Sequence, residues 1–168
     1  LSVNALQEAA AVNAIANGGT YVSPSLIRGS ATTNKGEQVG TDHAVKRRVV
    51  SARAAHQTML MMERVIDPDV GVAPLAAVAG YRVAGKTGTA QRVVDQRYDG
   101  STTVSFAGFA PADQPRFTVY VVVQNPRIAG AGGGSVAGPV FSKIMGFALH
   151  RYGIQPTGTE PSRLPVEW

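Results

Sequence analysis

Apolar positions recur at helical spacing in three stretches of the chain, and strand-like alternation fills the space between them. The first helix carries Ala9, Ala10, Val12, Ile15 and Ala16. Asn4 can cap it, Gln7 three residues later completes a capping-box pair, and Asn17-Gly18-Gly19 stops it. A second helix follows Ser51, with Ala55, Met59, Met62 and Ile66 on one stripe, and Asp67-Pro68 ends it. Its methionines are read as core filler. Ser135 can cap a third helix that runs to Tyr152 and stops at Gly153. Along it Val136, Val140, Ile144 and Phe147 face one way, and Phe141, Met145 and Leu149 widen the stripe, so it packs flat on a sheet.

Short strands are predicted over residues 21–27 and 44–50, separated by a turn-rich segment over 29–41. Longer ones are predicted over 81–91, 102–110 and 116–125. Residues 111–115 form a compact turn between the last two, and the link between the first two is short and polar. A parallel crossover needs a dozen or more residues, so these three strands form an antiparallel meander. The expected class is α+β: an antiparallel sheet packed against helices, with the C-terminal helix on the sheet. The glycine-rich stretch over 130–134 reads as a flexible loop, and the tail from Ile154, with Pro156, Pro161 and Pro165, as irregular. The abrupt opening on a helix predicts the C-terminal part of something longer, with one folded unit over 1–155 and a Pro-rich tail over 156–168.

The 168 residues are enough for one domain with a core, and 44% hydrophobic against 16% charged residues excludes a disordered chain. Apolar runs such as 119–123 fall far short of the about 20 residues that a membrane-spanning helix needs. Without cysteine there are no disulfides and no thiolate metal sites. The net charge of +5 comes from scattered arginines; no basic stripe with interleaved aromatics is present, so no nucleic-acid partner is expected. His43, His56 and His150 lack metal-ligand spacing and read as surface or boundary residues, so no metal and no cofactor are expected.

The chemistry concentrates in Val83-Ala84-Gly85-Lys86-Thr87-Gly88-Thr89-Ala90-Gln91. Gly80 and Gly85-Lys86-Thr87 satisfy the phosphate-loop pattern literally. The context opposes it: Tyr81-Arg82-Val83-Ala84 has strand-like bulk, and Gly88, Thr89, Val93 and Val94 are poor helix formers where a helix should begin. A nucleotide-binding protein is therefore the remote alternative. As a strand, the segment puts Thr87 and Thr89 on the same face, roughly 6.6 Å apart by strand rise. Two hydroxyls at that spacing can both donate to one carboxylate, Gly88 lets a ligand approach the backbone, and Lys86 adds positive charge. No acid lies between Asp69 and Asp95, whereas Arg82, Lys86 and Arg92 do, which favours an anionic ligand.

Lys86-Thr87-Gly88 resembles the third motif of the penicillin-recognising serine acyl-transferases, and the longer string is most similar to class B penicillin-binding proteins of the cell-division type. Leu1-Ser2-Val3-Asn4-Ala5-Leu6-Gln7 with Ile15-Ala16-Asn17-Gly18-Gly19-Thr20-Tyr21 is similar to the helix after the family's second motif. Ser105-Phe106-Ala107-Gly108-Phe109-Ala110-Pro111-Ala112 resembles its next strand and turn, and Gly134-Ser135-Val136-Ala137-Gly138-Pro139-Val140-Phe141 the start of its C-terminal helix. The resemblance covers about residues 1–155. The chain departs from the pattern elsewhere. None of its ten serines has lysine three residues on, so the nucleophilic Ser-x-x-Lys is absent. Ser2-Val3-Asn4 is the one Ser-x-Asn string, and the resemblance places it after the true second motif, with Ser2 and Asn4 as capping residues.

The resemblance implies part of a peptidoglycan D,D-transpeptidase that cross-links stem peptides through a serine acyl-enzyme and binds β-lactams, which imitate the substrate. Lys86 would set the electrostatics around the second-motif serine, Thr87, Gly88 and Thr89 would bind the substrate, and the Thr89 backbone N–H would form half of the oxyanion hole. The nucleophile would lie upstream and the isolated chain would be inactive. The implied partners are stem peptides, β-lactam antibiotics, the upstream part carrying the two other motifs, and division-machinery membrane proteins. The implied place is the extracytoplasmic face of the bacterial membrane, with the anchor outside this chain. A non-catalytic penicillin-recognising sensor or scaffold is the alternative.

Overall fold

The computed structural model describes residues 3–166, and its first helix begins where the capping pair stands. The Asn4 side chain accepts from the Gln7 amide at 2.9 Å, and the Gln7 side chain accepts from the Asn4 amide at 2.9 Å, which sets the start of α1 (Ala5–Ala16). Ser2 lies outside the described residues. The helix stops as Gly18 and Gly19 turn to positive φ, and the Gly19 N–H reaches back to the Ala14 carbonyl at 2.8 Å. A Cβ on Gly19 would stand 2.3 Å from the Val50 carbonyl oxygen, so no larger residue fits this crossing.

The next two strands are shorter than the residue pattern predicts. β1 (Thr20–Val22) ends before Pro24, which has no N–H for a ladder. The segment after it holds a small hairpin, β2 (Ala31–Thr32) with β3 (Gln38–Val39), whose two-residue strands are too short to show alternation. β4 (Lys46–Arg48) returns to pair antiparallel with β1. In α2 (Ala52–Arg64) the Ser51 hydroxyl accepts from the Ala54 amide at 3.1 Å, the expected cap. Asp67 ends the segment by accepting from the Asp69 and Val70 amides at 3.0 and 3.1 Å. Those two amides hold its carboxyl below the usual carboxylate range.

β5 (Ala84–Val94), β6 (Arg97–Ala110) and β7 (Phe117–Gln124) form the main sheet in the order β5-β6-β7, antiparallel throughout. The β5–β6 turn is Asp95-Gln96, both at positive φ (48° and 62°), the two-residue turn whose twist matches its strands. Alternation along β6 divides the core. Val104, Phe106 and Ala110 turn towards α3 (Gly138–Arg151), and Phe106 meets Phe141 with ring centroids 4.7 Å apart. Phe109, with Ala84 of β5 opposite it, turns the other way and packs against Met59 and Met62 of α2 and Val12 and Ile15 of α1. The sheet thus has α3 on one face and α1 with α2 on the other.

Two expectations for the last helix are corrected. Its buried line is Phe141, Met145 and Leu149, each 0% exposed, whereas Val140, Ile144 and Phe147 are 41%, 45% and 71% exposed. Apolar residues spread over a broad arc of this helix, with Ser142, Lys143, Gly146 and His150 on the rest, so periodicity found the helix and mistook which part of the arc is buried. Ser135 does not cap it. A π-helical turn, Gly133–Ala137, comes first, and the Ser135 hydroxyl accepts from the Gly132 amide at 3.1 Å within that turn. Gly133 and Gly134, read as part of a flexible loop, are buried against β5–β6 and residues 72–73. The tail has no regular element, as expected, yet its side chains are engaged.

Sequence reading also missed Glu63. It follows Met59 by one helical turn on the core face of α2 and is 5% exposed. Arg82 meets it with two parallel hydrogen bonds, Nε to Oε1 at 2.7 Å and Nη2 to Oε2 at 2.8 Å. Phe141 gives the most direct test of the packing. Phe141→Ala should lower unfolding free energy by about 3–5 kcal/mol, measured by denaturant titration. A loss below about 1 kcal/mol would show that Phe106 and Phe141 do not join helix to sheet as described.

Candidate active site

β5 is an edge strand among the described residues, since β6 lies on one side of it and no strand on the other. It runs unbroken from Ala84 to Val94, so no helix starts at Lys86. That removes the phosphate-loop reading, which requires one there. Lys86, Thr87, Gly88 and Thr89 lie consecutively along the strand, opposite Ala107, Phe106, Ser105 and Val104.

The strand's pleat sorts their side chains. Thr87 and Thr89 leave the sheet on the side of Phe106 and Val104, where α3 packs. Lys86 leaves on the opposite side, with Ala84 and Phe109. The two hydroxyls therefore share a face, as the spacing predicts, and the ammonium does not stand beside them on it. Instead the Lys86 side chain folds around the strand's outer edge: Nζ donates to the Thr87 carbonyl at 2.8 Å and lies 3.4 Å from Thr87 Oγ1. In an antiparallel ladder the N–H and C=O of one residue point the same way, and those of residue i+2 follow. A Thr87 carbonyl at the outer edge thus brings the N–H groups of Thr87 and Thr89 to that edge too. Thr89 and Lys86 are exposed, and Thr87 and Gly88 half-buried.

A Cβ on Gly88 would meet Ser105 Oγ, the end of a side chain that can turn away. Gly133, leading into α3, rests on the same peptide groups: a Cβ on it would lie 2.2 Å from the Ser105 carbonyl oxygen, 2.8 Å from that of Gly88 and 2.9 Å from the Gly88 nitrogen. Sequence reading missed both Ser105 and Gly133 as supports of the site. The cross-strand partner of Gly88 could have been found only by knowing the register.

The charge arrangement keeps the edge cationic. Lys86 stands on it, and no acid lies between Asp69 and Asp95. Farther along, Asp99 accepts from the Ser101 hydroxyl at 2.5 Å, and that bond, followed by the Ser101 amide, holds its carboxyl below the usual range. His43, His56 and His150 are all exposed and lie on separate elements. An open apolar cavity of about 570 Å³ lies between α1 and the β1–β4 pair, lined by Leu6, Ala10, Ile15, Tyr21 and Val50. It offers no nucleophile or acid–base pair and does not touch β5.

The chain is similar to known proteins along most of its length. Residues 1–146 match the family model described as the penicillin binding protein transpeptidase domain. Stage V sporulation protein D of Bacillus subtilis (strain 168) is 40% identical over 159 residues, covering 93% of this chain and 24% of that protein. Penicillin-binding protein PbpB of Mycolicibacterium smegmatis is 35% identical over 170 residues, covering 96% of this chain and 26% of that protein. The chain thus spans about a quarter of the length of these relatives. Among solved structures, penicillin-binding protein 3 from Mycobacterium tuberculosis in complex with ampicillin superposes with a TM-score of 0.81 at 33% identity, over 99% of this chain and 39% of that one. With its antiparallel sheet, its C-terminal helix and a sequence match along most of its length, the chain belongs to the penicillin-binding protein transpeptidase domain family.

Proposed function

We propose that this chain supplies the substrate-binding strand of a peptidoglycan D,D-transpeptidase that acts through a serine acyl-enzyme. The observation that carries the reading is the open edge of β5, where Lys86, the Thr87 and Thr89 hydroxyls and outward-facing N–H groups stand together. An extended peptide can lie along such an edge as an added strand. The names of the relatives support the reaction class, since PenA of Neisseria gonorrhoeae, 42% identical over 112 residues, is called a probable peptidoglycan D,D-transpeptidase. The ampicillin-bound neighbour supports β-lactam binding.

In this reading a serine outside the chain attacks the carbonyl between two D-alanines of a stem peptide. The serine oxygen forms an ester with that carbon, the carbon–nitrogen bond breaks, and the departing D-alanine amine takes a proton. Thr87 and Thr89 donate to its carboxylate. The Thr89 N–H donates to the carbonyl oxygen as negative charge grows there, and the nucleophile's own N–H completes the oxyanion hole. Lys86 supplies positive charge near the second-motif serine. An amine from a neighbouring stem peptide then releases the acyl group as a cross-link. The whole protein would work at the extracytoplasmic face of the bacterial membrane, with division-machinery membrane proteins as partners. Among the described residues no helix is long and apolar enough to cross a membrane, so any such anchor belongs to another segment. A non-catalytic sensor would share the strand and the penicillin binding, and differs in forming no cross-links from stem peptides.

The isolated chain, lacking Ser-x-x-Lys, should form no covalent adduct with penicillin. Peptide mapping by mass spectrometry checks this, and an acylated serine within it would overturn the assignment of the nucleophile.

In the complete enzyme, Thr87→Val and Thr89→Val keep the β-branched shape and remove the hydroxyls. A hydrogen bond to a charged group contributes about 1.5–3 kcal/mol, so each change should slow acylation by about tenfold to a hundredfold. The Thr89 N–H survives in both, so activity should not vanish. Lys86→Met should cost more than either. Second-order acylation rates with a fluorescent penicillin decide it: rates equal to the parent's in both threonine variants would refute the carboxylate grip.

A further inference from the structure

The family match ends at residue 146, yet the segment beyond α3 makes a dense set of contacts at the base of β5. Arg82 is central to them. Besides its paired bonds to Glu63, its Nη1 donates to Thr159 Oγ1 at 2.9 Å and lies 3.6 Å from Asp113 Oδ2. Thr159 passes its own hydroxyl proton to Asp113 Oδ2 at 2.5 Å. The Ser162 amide donates to Glu63 Oε2 at 3.1 Å, and Arg64 donates to the Ser162 carbonyl at 3.3 Å. Tyr81 donates its phenol proton to the Ile154 carbonyl at 2.6 Å. Further along, Leu164, Pro165 and Val166 face Met61, Val65 and Val72 across a small apolar cleft.

These contacts add to an ion-pair network that three elements share, in which the buried Asp113 Oδ1 alone of the carboxylate oxygens has no partner. Glu63 comes from α2, Arg82 from just before β5, and Asp113 from the β6–β7 turn. The Ala112 amide also donates to the Arg82 carbonyl at 2.8 Å. The side chains of Glu63, Arg82 and Asp113 are only 1%, 14% and 16% exposed. Buried charges cost stability unless each spare donor and acceptor finds a partner, and the tail supplies two such partners, the Thr159 hydroxyl and the Ser162 amide. The hydrogen bond with Glu63 favours charged Arg82 over the penalty of its burial. Burial pushes the Asp113 carboxyl up, and the Thr159 and Thr157 hydroxyls with Arg82 outweigh it, so the group sits below the usual range and stays ionised.

We propose that the segment from Ile154 to Val166 is a strap that fixes the base of the substrate strand, with Arg82 as a positioning residue for the Lys86–Thr89 edge. Arg82 stands two residues before the start of β5, with Val83 between, so a shift of its guanidinium tilts the strand against α2. This inference rests on the function proposed above, because its catalytic consequence is a change in acylation.

The test uses the complete enzyme in three forms: cut after Gly153, Thr159→Val, and Thr159→Ser. Penicillin acylation rates and hydrogen exchange at the amides of residues 82–89 are measured in each. Cutting the tail and Thr159→Val should both speed exchange there and lower the acylation rate by roughly tenfold, within the hundredfold that a 1 Å misplacement can cost. Thr159→Ser, which keeps the hydroxyl, should stay near the parent. Unchanged exchange over 82–89 in Thr159→Val would overturn the strap, and faster exchange with unaltered acylation would overturn its positioning role. If the cut protein does not fold, the two Thr159 variants decide alone. If the parent is not acylated by penicillin, the proposed function fails, and exchange still decides whether the strap holds the strand.

Discussion

The peptide of Gly88 is packed so closely against Gly133 that no side chain would fit at residue 133. The Ser105 hydroxyl occupies the place of a Cβ on Gly88, and Gly133 lies against the Gly88 nitrogen and carbonyl oxygen without a Cβ of its own. Close packing of this kind transmits displacement, because there is no void to absorb it. A larger residue at 133 would lift α3 from the sheet and disturb the outward N–H groups of Thr87 and Thr89, whereas one at 88 would meet only the end of the Ser105 side chain, which can turn away. The geometry of the edge therefore depends on the absence of a Cβ at Gly133, in the turn before α3.

Around that contact the layers share the work. α3 covers one face through Phe141, Met145 and Leu149, and the aromatic contact with Phe106 registers it on the sheet. α1 and α2 cover the other face through Met59 and its neighbours against Phe109. From Lys86 onwards β5 is only partly covered, so a ligand can approach its outer edge and the exposed Thr89. An edge strand with unpaired N–H and C=O groups is an aggregation hazard in most proteins, and a charged lysine folded over it is one of the usual protections. On the function proposed here the same lysine also serves the chemistry, so protection and function coincide at Lys86.

Much of this was legible from residue spacing. Asn4 with Gln7, Ser51 and Asp67-Pro68 act through hydrogen bonds three residues apart or fewer, and each stands where local rules put it. The antiparallel meander followed from short links. Errors arose where the deciding partner is distant. α3 carries apolar residues over a broad arc, so only its contact with Phe106 selects Phe141 over Phe147. Glu63 was not singled out, because Arg82, 19 residues away, and Ser162, 99 residues away, are invisible at helical range. The Pro-rich tail reads as irregular, which it is, and irregular backbone can still be fixed by side chains. At the candidate site, the threonines' shared face followed from strand alternation. The Lys86 side chain starts from the opposite face by the same rule, and it brings its charge beside the Thr87 hydroxyl by folding round the strand edge.

A crystal structure of the complete enzyme acylated by ampicillin would test the central claim most directly. The account predicts the acyl carbonyl oxygen within hydrogen-bond distance of the Thr89 nitrogen, about 2.7–3.1 Å, with the ligand carboxylate against the Thr87 and Thr89 hydroxyls. Gly88 should remain seated between Ser105 and Gly133. An acylated serine whose ligand turns away from β5, leaving both hydroxyls and the Thr89 N–H unengaged, would contradict it.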